Sequence, residues 1–215
     1  MALQQVADRL WAERAPLVCV ATDRPVLALT IDDGPHPDTT PALLEVLGRH
    51  QARATFFLIG ERAARHPELV RAIAADGHQL GNHLWQDRPT VRLPPEERAR
   101  QLQQVDALLR LHGDVSVFRP GSGWFTPRLL RQGSEMGYRC VLGSPWLLVT
   151  EYDTDPQRQG RRLAARAHPG AVAVLHEGTR ARTPVAVTAD ALLTALADRG
   201  SRSVTVRELL GARSR

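Results

Sequence analysis

The chain has 215 residues, 43% of them hydrophobic and 24% charged, which fits one globular domain with a full core and excludes a disordered or fibrous chain. Its formal charge is +5 and all 28 basic residues are arginine. These scatter over helix faces (Arg98, Arg100, Arg110, Arg128, Arg131) instead of forming one stripe, so no nucleic-acid partner is indicated. No apolar run approaches the ~18–20 residues that span a bilayer, and two cysteines, Cys19 and Cys140, are too few for a disulfide framework or a structural zinc site.

The start, MALQQVADRLWAERAPLVCVATDRP, lacks a basic head, an apolar centre and a small-residue cleavage site. As written this favours a cytoplasmic location, and a longer natural start would make it extracellular. Residues 1–23 read as a short N-terminal extension ahead of a single domain over residues 24–215. Pro25–Ile31 (PVLALTI) is the first strand, followed by Ala54–Ile59 (ATFFLI), a weaker Gln79–His83 (QLGNH), Val115–Phe118, Arg139–Gly143, Ala171–His176 and Ser203–Val206. Between them, Thr40-Pro41 opens a helix as a cap followed by proline, and Glu61–Ala75 reads as the next. Pro94-Pro95-Glu96 opens a third, with Leu102, Val105, Leu108 and Leu109 at helical spacing. Thr126–Met136, Pro156–Ala167 and Val185–Arg199 complete the set.

Near-continuous apolar strands alternating with helices predict a parallel α/β sheet covered by helices. Seven units in 215 residues predict a distorted (β/α)7 barrel, TIM-barrel-like with outer helices, since the eight-unit form takes about 250 residues. An open doubly wound sheet is the other architecture of this pattern. No glycine-rich phosphate loop is present.

Unusual polar residues fall where strands end: Asp32 and Asp33 after the first, His83 after the third, Arg119 after the fourth, His176 after the sixth. Carboxyl ends of parallel strands open on one face, so these groups are expected to converge. Adjacent carboxylates repel unless a cation or proton separates their charges. A metal on one and an arginine on the other resolves the conflict, although Asp-Gly-Pro is also ordinary turn chemistry.

LTIDDGP, TPALLEVL and ATFFLIG together resemble the opening of polysaccharide deacetylases, carbohydrate esterase family 4. Gly81–His83 (GNH) resembles the start of that family's second motif, Phe118–Phe125 (FRPGSGWF) its third, and Val174–Gly178 (VLHEG) its last, from about Arg24 to Leu210. The resemblance implies a distorted (β/α) barrel and a metal-dependent hydrolase that removes acetyl groups from N-acetylated sugars. It implies Asp32 as general base, Asp33 and His83 as metal ligands, Arg119 as partner of the base and His176 as general acid. An aspartate that orients the late histidine is poorly matched; Asp153 is the candidate and Asp155 a weaker one.

The chief departure is Asp87, which stands where the family usually has a second histidine. Asp33, His83 and Asp87 then form a one-histidine, two-carboxylate set for one divalent metal ion, with zinc first and cobalt or manganese as alternatives. The extra carboxylate makes the site harder and its bound water less acidic. Otherwise Asp87 is a turn residue in QDRP, paired with Arg88 or solvent. Trp85, Trp124 and Trp146 are candidate surfaces for a sugar ring, and Val174 and Leu175 candidate walls of an acetyl pocket; ordinary packing is the competing reading for each. The expected partner is an N-acetylated sugar, with the protein a monomer or weak oligomer. Alternatives are a related amidohydrolase or O-acetyl esterase, and a catalytically silent carbohydrate-binding homologue.

Overall fold

In the computed structural model, which describes residues 15–144, 155–179, 182 and 184–213, β1 (Val26–Gly34) runs through the centre with every residue buried. It pairs in parallel with β2 (Thr55–Leu58), β6 (Val172–His176) and, at its start, β7 (Arg202–Val204). Beyond β2 lie β3 (Gln79–Asn82), β4 (Val117–Phe118) and β5 (Arg139–Cys140), again parallel. The seven-stranded sheet has the order β5-β4-β3-β2-β1-β6, with β7 beside β1. It curls, and backbone hydrogen bonds bridge its two sides: Leu17 N donates to Cys140 O, Val20 N to Gly170 O and Ser144 N to Val172 O, at 2.8, 2.8 and 2.9 Å. Leu17 and Val20 are buried, so part of the expected N-terminal extension is built into the barrel wall.

The two faces of β1 show how the sequence produces this wall. Leu27, Leu29 and Ile31 enter the larger hydrophobic cluster, with Leu43 and Leu47 of α1 (Thr40–Arg49) and Leu192 and Leu196 of α7 (Val185–Ala197). Val26 and Ala28 enter a second cluster with Phe57, Val117, Val141 and Val172. Period-two alternation therefore assigns Thr30 and Asp32 to the side of Val26 and Ala28.

Proline stands in the first turn of α1, α3 (Pro67–Ala75), α4 (Pro95–Leu109), α5 (Pro127–Glu135) and α6 (Pro156–Arg166), where no intrahelical N–H is needed. The single helix expected over 61–75 is two, α2 (Gly60–Arg65) and α3, because Pro67 pushes His66 out of the helical region (φ −131°). The strand expected over 203–206 stops at Val204. Thr205 and Glu208 form a capping box that opens α8 (Val206–Leu210), a Thr-x-x-Glu signal present in the sequence. No described helix is long and apolar enough to cross a membrane.

Candidate active site

Asp32 lies near the inner end of β1, its side chain only 5% exposed. Arg119, one residue past β4, donates from Nη1 to Asp32 Oδ1 at 2.5 Å and to Thr30 Oγ1 at 2.8 Å. Its Nε donates to Val141 O at 3.1 Å, and its guanidinium carbon sits 4.2 Å from the centre of the Phe57 ring. A buried arginine is tolerated only when its donors are satisfied and its charge is paired. Strand ends, a threonine and an aromatic face supply those conditions here, so Asp32 and Arg119 form one rigid unit.

Asp33 should point to the opposite side of β1, yet it reaches the same site. The register of β1 against β2 shifts between Asp32 and Gly34, and Asp33 takes a left-handed backbone conformation, φ 68°. Such a bulge re-aims one side chain, and an aspartate is among the few non-glycine residues that adopt it. Asp33 Oδ1 comes to 3.2 Å from His83 Nε2. Burial works against ionisation of Asp33, but the His83 ring and the Arg182 guanidinium outweigh it and hold the carboxyl below its usual range. Arg182 Nη1 donates to Asp33 Oδ2, and Arg62 Nη1 donates to the Asp33 backbone oxygen.

The pair fits a divalent cation. His83 Nδ1 lies 2.7 Å from the carbonyl oxygen of Arg119, which only accepts, so Nδ1 carries the hydrogen. In the neutral ring, Nε2 then offers its lone pair toward a carboxylate oxygen. Two electron-pair donors face each other in a buried site, an arrangement that calls for a proton or a metal ion. As a protonation site the ring is also favoured: burial disfavours the imidazolium, but Asp33 and Asp32 overcome that and raise its proton affinity. One imidazole and one carboxylate suit zinc, cobalt or manganese. The expected third donor is placed elsewhere: Asp87, 56% exposed at its side chain, accepts from Arg62 Nη2 at 3.3 Å. Among the described residues no group of three or more His, Cys, Asp or Glu converges to hold a metal.

His176 ends β6 directly beside Asp32 in register, with Nε2 3.9 Å from Asp32 Oδ2. Burial lowers its proton affinity, with Asp32 and Asp33 opposing. The next residue, Glu177, is fully buried; its Oε2 accepts from Thr39 and Thr40 at 2.8 and 2.7 Å, and its Oε1 has no partner among the described residues. Burial pushes this carboxyl up to about 7. Gly34 must lack a side chain here, since a Cβ would come within 2.1 Å of Glu177 Oε1.

Arg62, Arg182, Thr30 and Glu177 had not been singled out from the sequence. Thr30 carried a signal, as a polar residue inside an apolar strand; Glu177 stood within a quoted motif. Arg62 and Arg182 carried none, because arginines on helices and loops ordinarily face water.

Of the aromatic candidates, Trp85 is half-buried against the core, its ring against Gly60, whereas Trp124 is 70% exposed just after the Arg119 loop. Val174 and Leu175 are buried inside β6. Asp155 caps α6, accepting from Arg158 N at 2.9 Å. Trp146 and Asp153 lie outside the described residues.

The family model for polysaccharide deacetylase matches residues 20–141. A peptidoglycan-N-acetylglucosamine deacetylase of Bacillus cereus is 30% identical over 194 residues, covering 89% of this chain and 91% of the relative. A chitooligosaccharide deacetylase of Azorhizobium caulinodans is 34% identical over 157 residues, 70% of this chain and 72% of the relative. A crystal structure of a peptidoglycan N-acetylglucosamine deacetylase superposes with TM-score 0.80 at 25% identity, covering 93% and 94% of the two chains. A Bacillus anthracis protein described as a pseudoenzyme of carbohydrate esterase family 4 shares the fold alone (TM-score 0.83, 22% identity, 94% and 71% covered). That family generally depends on a divalent metal. The chain, by its family match, its relatives and its barrel, belongs to the polysaccharide deacetylase family.

Proposed function

We propose that this protein hydrolyses the acetamide of an N-acetylated sugar, with a glucosamine-containing oligo- or polysaccharide as substrate class. The observation that carries the reading is the position of Asp32, clamped by Arg119 on one side and 3.9 Å from His176 on the other, beside the Asp33–His83 pair. Carbohydrate deacetylation is also what the names of the Bacillus and Azorhizobium relatives state of those proteins.

Asp33 and His83 would hold one divalent ion, zinc first by the chemistry of the donor set, with cobalt or manganese as alternatives. When bound, such an ion lowers the pKa of water from 15.7 toward about 7 and polarises the acetyl carbonyl. Asp32 takes a proton from the attacking water at its carboxylate. Arg119 cannot swing away, because Thr30 and Val141 hold it, so the base keeps one orientation throughout. His176 delivers a proton from Nε2 to the departing amine, a leaving group that fails without it. Asp32 and His176 are adjacent in register on β1 and β6, close enough for both to act on one bound acetamide. Trp124, exposed at the rim, offers a flat apolar face for a sugar ring.

The test is acetate release from N-acetylglucosamine oligomers and simple acetyl esters, with chelator-stripped protein restored by zinc, cobalt or manganese. Release from the oligomers that returns with metal is the expected result. Turnover of acetyl esters alone would replace this reading with an O-acetyl esterase. Metal uptake without turnover of either class would refute the substrate class.

A further inference from the structure

Asp87 occupies the position at which a third metal donor was expected, but its neighbourhood has a different logic. The first turn of α2 is stitched to the segment after β3: Gly60 N donates to Leu84 O at 2.9 Å and Glu61 N to Trp85 O at 3.0 Å. The end of β2 is tied to the end of β1 by Ile59 N to Gly34 O at 2.9 Å. Arg62 projects from this junction with one side of its guanidinium on the Asp33 backbone oxygen and the other on the Asp87 carboxylate. The contact needs a glycine opposite. At Gly178 (φ +91°) a Cβ would lie 2.2 Å from Arg62 Nη1 and 2.3 Å from Asp33 O.

What Arg62 grips is the strained residue itself. Asp33 has a left-handed backbone, which costs an L residue free energy and persists only where its surroundings hold it. That conformation is also what turns its carboxylate toward His83. A charge-assisted bond to the carbonyl of this peptide opposes a return to ordinary extended geometry, in which Asp33 would face away.

Resting on the reading of Asp33 and His83 as the cation's donors, we propose that Arg62 is a positioning residue for Asp33 and that Asp87 orients Arg62 instead of ligating the metal. The two links differ in strength. Arg62 is 18% exposed and Asp87 56%, so the outer ion pair is the more solvent-screened of the two. Arg62 therefore carries most of the effect and Asp87 acts only through it.

The experiment is a double-mutant cycle on the full chain with Arg62→Ala, Asp87→Asn and both together, reading zinc affinity by competition with a chromogenic chelator and coordination by the cobalt absorption spectrum. Arg62→Ala is expected to weaken zinc binding by about 10–100-fold, the range for groups that orient metal ligands, and Arg62→Lys to recover part of it. Asp87→Asn is expected to cost only about threefold, to leave the cobalt spectrum unchanged and to add nothing in the Arg62→Ala background. An Asp87→Asn variant that alters the cobalt spectrum, or whose penalty persists without Arg62, would overturn the proposal and make Asp87 a ligand. So would wild-type zinc affinity in Arg62→Ala. A wild-type chain that takes up no metal sinks both this proposal and the metal centre, whereas zinc uptake without acetate release sinks the deacetylase reading alone.

Discussion

Two consecutive residues, Asp32 and Asp33, are held in opposite ways. Asp32 is fixed from inside the barrel by Arg119, whose other donors go to Thr30 and to the backbone of Val141. Asp33 is fixed from outside, by a backbone bulge and by Arg62 and Arg182 reaching in from a helix and a loop. The proposed base is thus part of the packed sheet, while the carboxylate proposed to hold the cation depends on connecting segments. Segments of that kind change sequence with less effect on the core.

Removing Arg119 tests the inner half most severely. Arg119→Met leaves Asp32 buried without its cation, and we expect a loss of about 3–5 kcal/mol of stability in urea unfolding together with loss of turnover. Asp32→Asn leaves Arg119 as the unpaired buried charge and should also lose stability; in folded protein its turnover should fall by about 10²–10⁴-fold with zinc affinity near wild type. Asp33→Asn should do the reverse first, losing stoichiometric zinc and, as a consequence, activity. Equal zinc affinities in the two variants would erase the distinction between the halves.

Glu177 sharpens the comparison from beneath. Its folded-state pKa, raised by burial to about 7 from 4.5, means that the folded chain binds the proton more tightly than the unfolded chain. That contribution is fully present below about pH 4.5 and is lost as pH rises through 7, a change of about 3 kcal/mol. Glu177→Gln keeps an oxygen for Thr39 and Thr40 and cannot ionise. Urea unfolding of metal-free protein at pH 5 and pH 8 should therefore show a smaller pH-dependent loss in Glu177→Gln than in wild type. An identical loss in both would mean that Glu177 does not titrate in this range.

The smallest effect belongs to the rim. Trp124→Ala should leave stability within about 0.5 kcal/mol, as for an exposed position, and raise KM for oligomers more than it lowers kcat. A kcat loss at unchanged KM would remove Trp124 from substrate contact.

Much of this was legible in the sequence for a physical reason. Strand–helix alternation is a periodic signal, so the parallel barrel and the convergence of Asp32, His83, Arg119 and His176 at the carboxyl ends followed from it. The turn of Asp33 into the site could not follow, because strict alternation predicts the wrong face for one of two neighbouring aspartates and a bulge has no composition of its own. Arg62 and Arg182 were hidden among many arginines whose ordinary place is solvent. Asp87 was visible as a departure, but spacing alone cannot distinguish a donor aimed at a metal from one aimed at an arginine. Pro67 and the Thr205–Glu208 box, by contrast, were readable helix boundaries that longer periodic runs obscured.

The central claim is that Asp32 moves a proton while Asp33 and His83 hold the cation. Its most direct test is acetate release from N-acetylglucosamine oligomers, with bound zinc measured on the same samples, for wild type, Asp32→Asn and Asp33→Asn. The account predicts full turnover in the wild type alone, with zinc retained in Asp32→Asn and absent from Asp33→Asn. Wild-type turnover by zinc-loaded Asp32→Asn, or full turnover by zinc-free Asp33→Asn, would contradict it.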